Sequence, residues 1–194
     1  MDFLEITRRI AAGLGPGWRA EPGYMTQRHS QLFGPGDQSL MITHGDDSHR
    51  RTDHGRLRVV GTYQPPFSAF RCSGDTDHHI TVAAHRPPAD IAAAIERRLL
   101  PGYRQTLDGY RRSARADAVV LARRDAILEE LAAMLAPVHR LREDGIEFGH
   151  HCDPVSASIR VLRSGDAEIA VRVDRDHVLD LARHLATLRP GTAA

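Results

Sequence analysis

Lysine is absent from the sequence: all 26 of its Lys and Arg residues are arginine. Beside abundant Ala, Gly, Asp and His, this reads as the codon habit of a high-GC genome. Selection for bidentate anion contacts by guanidinium groups is the alternative. Cysteine is scarce too. Cys72 and Cys152 are the only two and form no CxxC pair, which argues against a disulfide framework and a thiol-redox motif. No apolar run approaches the ~20 residues of a membrane span. The N-terminus places Asp2 and Glu5 before its first arginine and lacks the form of a signal peptide. Neither sign of charge prevails, since 26 bases against 25 acids leave +1 and no global field toward nucleic acid or membrane. Walker loop, dinucleotide fingerprint, GxSxG elbow, HExxH and HxH are all missing. These absences lead us to expect a cytoplasmic protein with no membrane contact, no cofactor and no catalytic residues.

What is present is ordinary globular material, 194 residues at 41% hydrophobic and 26% charged, enough for one domain or two small ones. Phe3, Ile6, Ile10 and Leu14 mark an N-terminal helix, with Asp2 and Glu5 at capping-box spacing and a stop in Gly13–Gly17. Short strands are predicted around 18–20, 39–43, 56–63 and 79–83, separated by turn-rich stretches at 22–37, 44–55 and 64–78 that read as surface loops. From Pro88 the period becomes helical. Ile91, Ile95, Leu99, Tyr103, Leu107, Tyr110 and Ala114 form one stripe through Pro101, which predicts a long helix kinked there. A second helix is expected over about 116–135, carrying Val120, Ile127, Leu131 and Met134 beside Leu121, Leu128 and Leu135, and ended by Pro137. Strands near 138–142, 146–150, 157–163 and 167–174 follow, with a hairpin at Ser164-Gly165-Asp166. In the last strand Ile169, Val171 and Val173 are expected to point inward. A final helix is expected to bury Val178, Leu181, Leu185 and Leu188 before Pro190.

The two halves repeat a pattern. Ile10–Pro16 matches Leu131–Pro137 at an offset of 121, with four of seven positions identical. Ile80-x-Val82 matches Ile169-x-Val171, and Ile91 and Ile95 then fall on Leu181 and Leu185. Chance similarity between Ala-rich helices is the competing explanation. The common order of both matches favours a duplicated helix–sheet–helix unit. The expected fold is therefore α+β: two tandem helix–antiparallel sheet–helix units, 1–115 and 116–190, joined by a long Pro-kinked helix.

Three chemistries are worth weighing. Between Ile95 and Arg124 eight arginines stand against three acids. Arg97, Arg104 and Arg111 recur every seven residues, and Arg112 and Arg115 continue the flank. Tyr103 and Tyr110 lie beside it, where they could stack on bases. A solvated face paired with neighbouring acids is the simpler account. Histidines cluster weakly as metal candidates at His78, His79, His150 and His151 with Cys152. However, adjacent residues on a strand face opposite ways, and no tetrahedral ligand spacing is present. Cys152 beside a histidine also lacks any sign of an oxyanion hole.

The stretch ITVAAHRPPADIAAAIERRLLPGYRQTL at 80–107 resembles a group of uncharacterised actinobacterial proteins, common in Streptomyces-type genomes and their phages or integrated elements. The features carrying the likeness are Ile80, Thr81 and Val82, then Arg86, Ile91 and Ala92, and the Arg97-Arg98-Leu99-Leu100-Pro101 run closing on Tyr103. The likeness covers about 56–136. It implies an accessory protein and brings no catalytic residues. The function expected from all this is non-enzymatic binding through protein contacts, with a protein partner or a homodimer. Nucleic-acid binding by the arginine row and a small metal-dependent enzyme are the alternatives.

Overall fold

The computed structural model describes residues 2–23, 28–150 and 152–188. Among them lie four α-helices and two antiparallel sheets, and the chain divides after Arg115 into two compact units.

Helix α1 (Phe3–Leu14) starts where the Asp2 carboxylate accepts from the Leu4 N–H, while Glu5 pairs with Arg9 rather than closing a capping box. It ends at Gly15, whose φ of 107° few other residues tolerate. Strands β1 (Arg19–Pro22), β2 (His29–Phe33), β3 (Ser39–His44), β4 (Arg56–Thr62) and β5 (His79–Ala83) then form a meander in sequence order. Strand β2 lies inside the expected loop 22–37. Only five residues long and flanked by Gly23 and Gly34, it is hidden among turn signals.

The register sets two faces. Leu40 pairs with Gly61, Ile42 with Val59, Val59 with Ile80, and Leu57 with Val82. These side chains pack with Leu32 in a core that also holds Ile10, Ile91 and Ile95. The other face carries the row Thr43–Arg58–Thr81.

Helix α2 (Pro88–Arg98) packs beside α1, so closely that a Cβ on Gly13 would lie 2.9 Å from that of Ala92. A break of one residue, Leu99, separates α2 from α3 (Leu100–Leu135). Pro101 has no N–H for the carbonyl of Arg97, yet Tyr103 N–H already donates to the Leu99 carbonyl at 3.1 Å. The buried stripe passes through the break, as its spacing predicts. The expected separate helix from 116 does not form. Helix α3 continues for 36 residues, because 111–118 contains neither Gly nor Pro.

In the second unit β6 (Val138–Leu141), β7 (Gly145–Phe148), β8 (Val155–Val161) and β9 (Ala167–Val173) form another meander. Leu128 of α3 packs with Ile146, Ile159 and Val161, flanked by Ile127, Leu131 and Leu135. Gly165, at φ 90°, turns the β8–β9 hairpin. Helix α4 (Val178–Thr187) follows, and no side chain in it is buried. This corrects the expectation that Val178, Leu181, Leu185 and Leu188 form a buried stripe. Pro190 and His151 lie outside the described residues.

The matched segments occupy equivalent places. Ile10–Pro16 and Leu131–Pro137 each span the end of the helix before a meander. The two Ile-x-Val pairs each sit in the last strand of a sheet, before α2 and α4.

Candidate functional site

The arginine flank divides on inspection. Arg104 Nε donates to the Gln38 side chain at 2.8 Å, and Arg111 pairs with Asp108 at 2.7 Å and Asp37 at 3.7 Å. Both arginines thereby hold the β2–β3 turn. Arg97, Arg112 and Arg115 are exposed and carry no ion pair among the described residues. The two tyrosines are not available to bases. Tyr103 is fully buried, its hydroxyl accepting from Ser39 N–H at 2.8 Å and donating to the Thr62 carbonyl at 2.9 Å. Burial pushes its phenol up to about 12. Tyr110 is also buried and donates to Asp75 at 2.5 Å. Tyr63 stacks on Tyr103 and meets Tyr110 edge-on, with ring centroids 5.3 and 4.8 Å away. The helical stripe and the expected stacking platform are the same residues, and the core takes them.

The histidines do not converge. His78 contacts the Thr106 hydroxyl at 2.8 Å, His79 lies on the outer face of β5, and His150 and Cys152 are exposed in the second unit. Among the described residues no group of three His, Cys, Asp or Glu side chains is placed to hold a metal.

Sequence reasoning missed a cleft in the first unit. The segment after β3 folds back over the outer face of the sheet through two 3₁₀ turns, Gly45–Asp47 and Arg51–Asp53. Asp46 braces it, accepting from Gly55 N–H at 2.8 Å and pairing with Arg28 at 3.3 Å. The Gly55 N–H holds the Asp46 carboxyl below the usual range, helped by the charges of His44 and Arg28. Ser48 donates to the Asp53 carboxylate at 2.8 Å. Against this segment lie two open pockets of about 300 and 400 Å³ that share Ser48, Asp53, Arg58 and Thr81 in their linings. His29 is buried in the wall of the smaller, and burial lowers the pKa of its imidazole. The outward alternation of Arg56, Arg58 and Thr43 was the available signal. Nothing in the sequence marked the loop as a roof.

The second unit has an open apolar face. In the first unit Ile80 and Val82 are 6% and 3% exposed, in the core that includes Ile91 and Ile95 of α2. The matching pair Ile169 and Val171 is 60% and 41% exposed, and Leu185, matching Ile95, is 54% exposed. This overturns the expected inward packing of β9. Cross-strand pairing of Ile169 with Ile159 and Val171 with Ala157 puts them on the face that α3 covers only in part. Helix α4 presents Val178 and Leu185 to solvent, as does Leu188 just past its end. One chain thus exposes both halves of a helix-on-strand contact.

No protein-family model matches the chain, and no significant match was found among curated proteins or solved structures. No helix among the described residues is long and apolar enough to cross a membrane.

Proposed function

We propose that the chain is a non-enzymatic binding protein whose second unit docks a second copy of itself through α4 and the open apolar face of β8–β9. The observation that carries this reading is the exposure of Ile169, Val171 and Leu185 where their counterparts in the first unit are buried. Apolar side chains left exposed in this way mark an association site. The occupant follows from the chain itself: the helix that fits the strand pair is present, exposed and built to the pattern that the first unit already packs. Reciprocal docking of α4 from each copy gives a closed, twofold pair. Ile169, Val171, Val178, Leu185 and Leu188, five aliphatic side chains at about half exposure, supply roughly 500 Å² per chain, or ~1,000 Å² over the pair, near the lower bound for a specific interface.

The resemblance at 80–107 supports an accessory role in a high-GC bacterium or its mobile elements, and the absence of catalytic motifs agrees with binding. Static light scattering during size exclusion tests the assembly. A mass twice the 21.5 kDa of one chain is expected at micromolar concentration. A strict monomer at every concentration overturns the reading.

A further inference from the structure

We infer that the partly covered cleft of the first unit is a binding site for the oxyanion group of a small molecule, a carboxylate or a phosphoryl group. The inference starts from a row of the sheet. Arg58 stands between Thr43 and Thr81 on adjacent strands, so its side chain leaves the sheet between two hydroxyl-bearing residues on the same face. Two residues along β4, Arg56 faces the same way and is fixed by donating to the Thr81 carbonyl at 3.3 Å and its hydroxyl at 3.2 Å. Arg50 approaches from the roof. Guanidinium forks and hydroxyls are the donors that match paired terminal oxygens.

Three arginines on an open strand face would be an ordinary solvated surface. Here the face is partly covered, with Arg56 and Thr81 half-buried while Arg50 and Arg58 stay exposed, and the covering segment is held by its own interactions. Asp46 takes the Gly55 N–H, and Gly45 sits so tightly that an added Cβ would lie 1.9 Å from the Asp53 carbonyl oxygen. The acids lining the cleft are Asp47 and Asp53. Asp53 accepts from Ser48, and Asp47 also has an interaction of its own. His79 Nδ1 is directed to the Asp77 carbonyl at 3.3 Å. Arg50 and Arg58, by contrast, carry no ion pair among the described residues. The pocket of about 400 Å³ sets Arg50 and Arg58 against Asp53 alone, a local positive surplus at a scale that suits a small anion and not a polymer.

The test is a titration of the ¹⁵N-labelled full chain with sodium phosphate and, separately, with sodium succinate, at ionic strength fixed by sodium chloride. Saturable shifts are expected at Thr43, Ser48 and Thr81, weakened at least tenfold in Arg58→Gln. Arg50→Gln provides a second variant, altered only in the roof. Arg123→Gln, in the second unit, leaves the shifts unchanged. Saturation by phosphate alone identifies a phosphoryl ligand, by succinate alone a carboxylate, and by both an oxyanion site without that preference. Linear, unsaturable shifts with both salts, or an Arg123→Gln effect equal to that of Arg58→Gln, overturn the inference.

Discussion

The phenol of Tyr103 closes on the backbone of Ser39, accepting its N–H at 2.8 Å while donating to the carbonyl of Thr62 at 2.9 Å. One side chain from α3 thus satisfies polar groups on β3 and β4 at the end of the sheet. Removing the hydroxyl in Tyr103→Phe strands the buried Ser39 N–H. A loss of about 1–3 kcal/mol is expected, read as a lower urea midpoint with unchanged slope. A loss within error would mean that water replaces the phenol.

The same ring explains a glycine. A Cβ at Gly61 would fall 2.4 Å from Cδ2 of Tyr103. Gly61→Ala is therefore expected to cost about 1–3 kcal/mol through overpacking, with folding otherwise intact. Gly55→Ala meets no atom within 4 Å, but its φ of 69° strains an added side chain. Its cost comes from the backbone rather than from packing, so pairing it with Tyr103→Ala should not rescue it. The same pairing is expected to relieve Gly61→Ala in part, as measured by a double-mutant cycle.

These two positions show what the sequence could reveal. The stripe from Ile91 to Tyr110 was legible because period-3.6 burial survives a one-residue break at Leu99. Strands β4 and β5 were legible because Leu57, Val59, Ile80 and Val82 alternate under a helix. What escaped depends on contacts distant in sequence. That Tyr103 would be spent on Ser39, and not offered to a base, is fixed by a partner 64 residues away. The cleft escaped because its roof is a polar segment held by Asp46 and Gly55, which reads as plain loop. The open face of β9 escaped because amphipathic pattern reports which side is apolar and not whether anything covers it.

Asp75 joins the loop before β5 to α3. Its carboxyl sits below the usual carboxylate range, chiefly because the Tyr110 hydroxyl donates to it and next because the Cys72 N–H does. A carboxylate whose folded pKa is depressed contributes stability that is complete above its unfolded value of about 3.9 and is lost as pH falls through the lower folded value. The Asp75 ¹³Cγ signal should therefore titrate below the ordinary aspartate midpoint, and Tyr110→Phe should return it toward that value. An ordinary titration in the unaltered protein would contradict the contact.

The arginine flank gives a prediction of opposite kind. With Arg104 and Arg111 tied to the β2–β3 turn and both tyrosines buried, a mixed-sequence oligonucleotide should show no shift at micromolar protein and low salt. Arg104→Ala should instead loosen the turn, costing under about 1 kcal/mol because the contact is exposed. Faster amide exchange at Gly34 and Gln38 is the readout. A retarded complex abolished by Arg97, Arg112 and Arg115 substitutions together would restore nucleic-acid binding as the function.

The docking of α4 on a second copy can be read directly by covalent trapping. With Cys72 and Cys152 replaced by serine, one chain carries Ile169→Cys and another Leu185→Cys. Mild oxidation of the mixture is expected to give a disulfide-linked heterodimer between the two variants, well above the yield of either alone. If the mixture stays unlinked while a single chain bearing both cysteines closes on itself, α4 belongs on its own sheet and the self-association account fails.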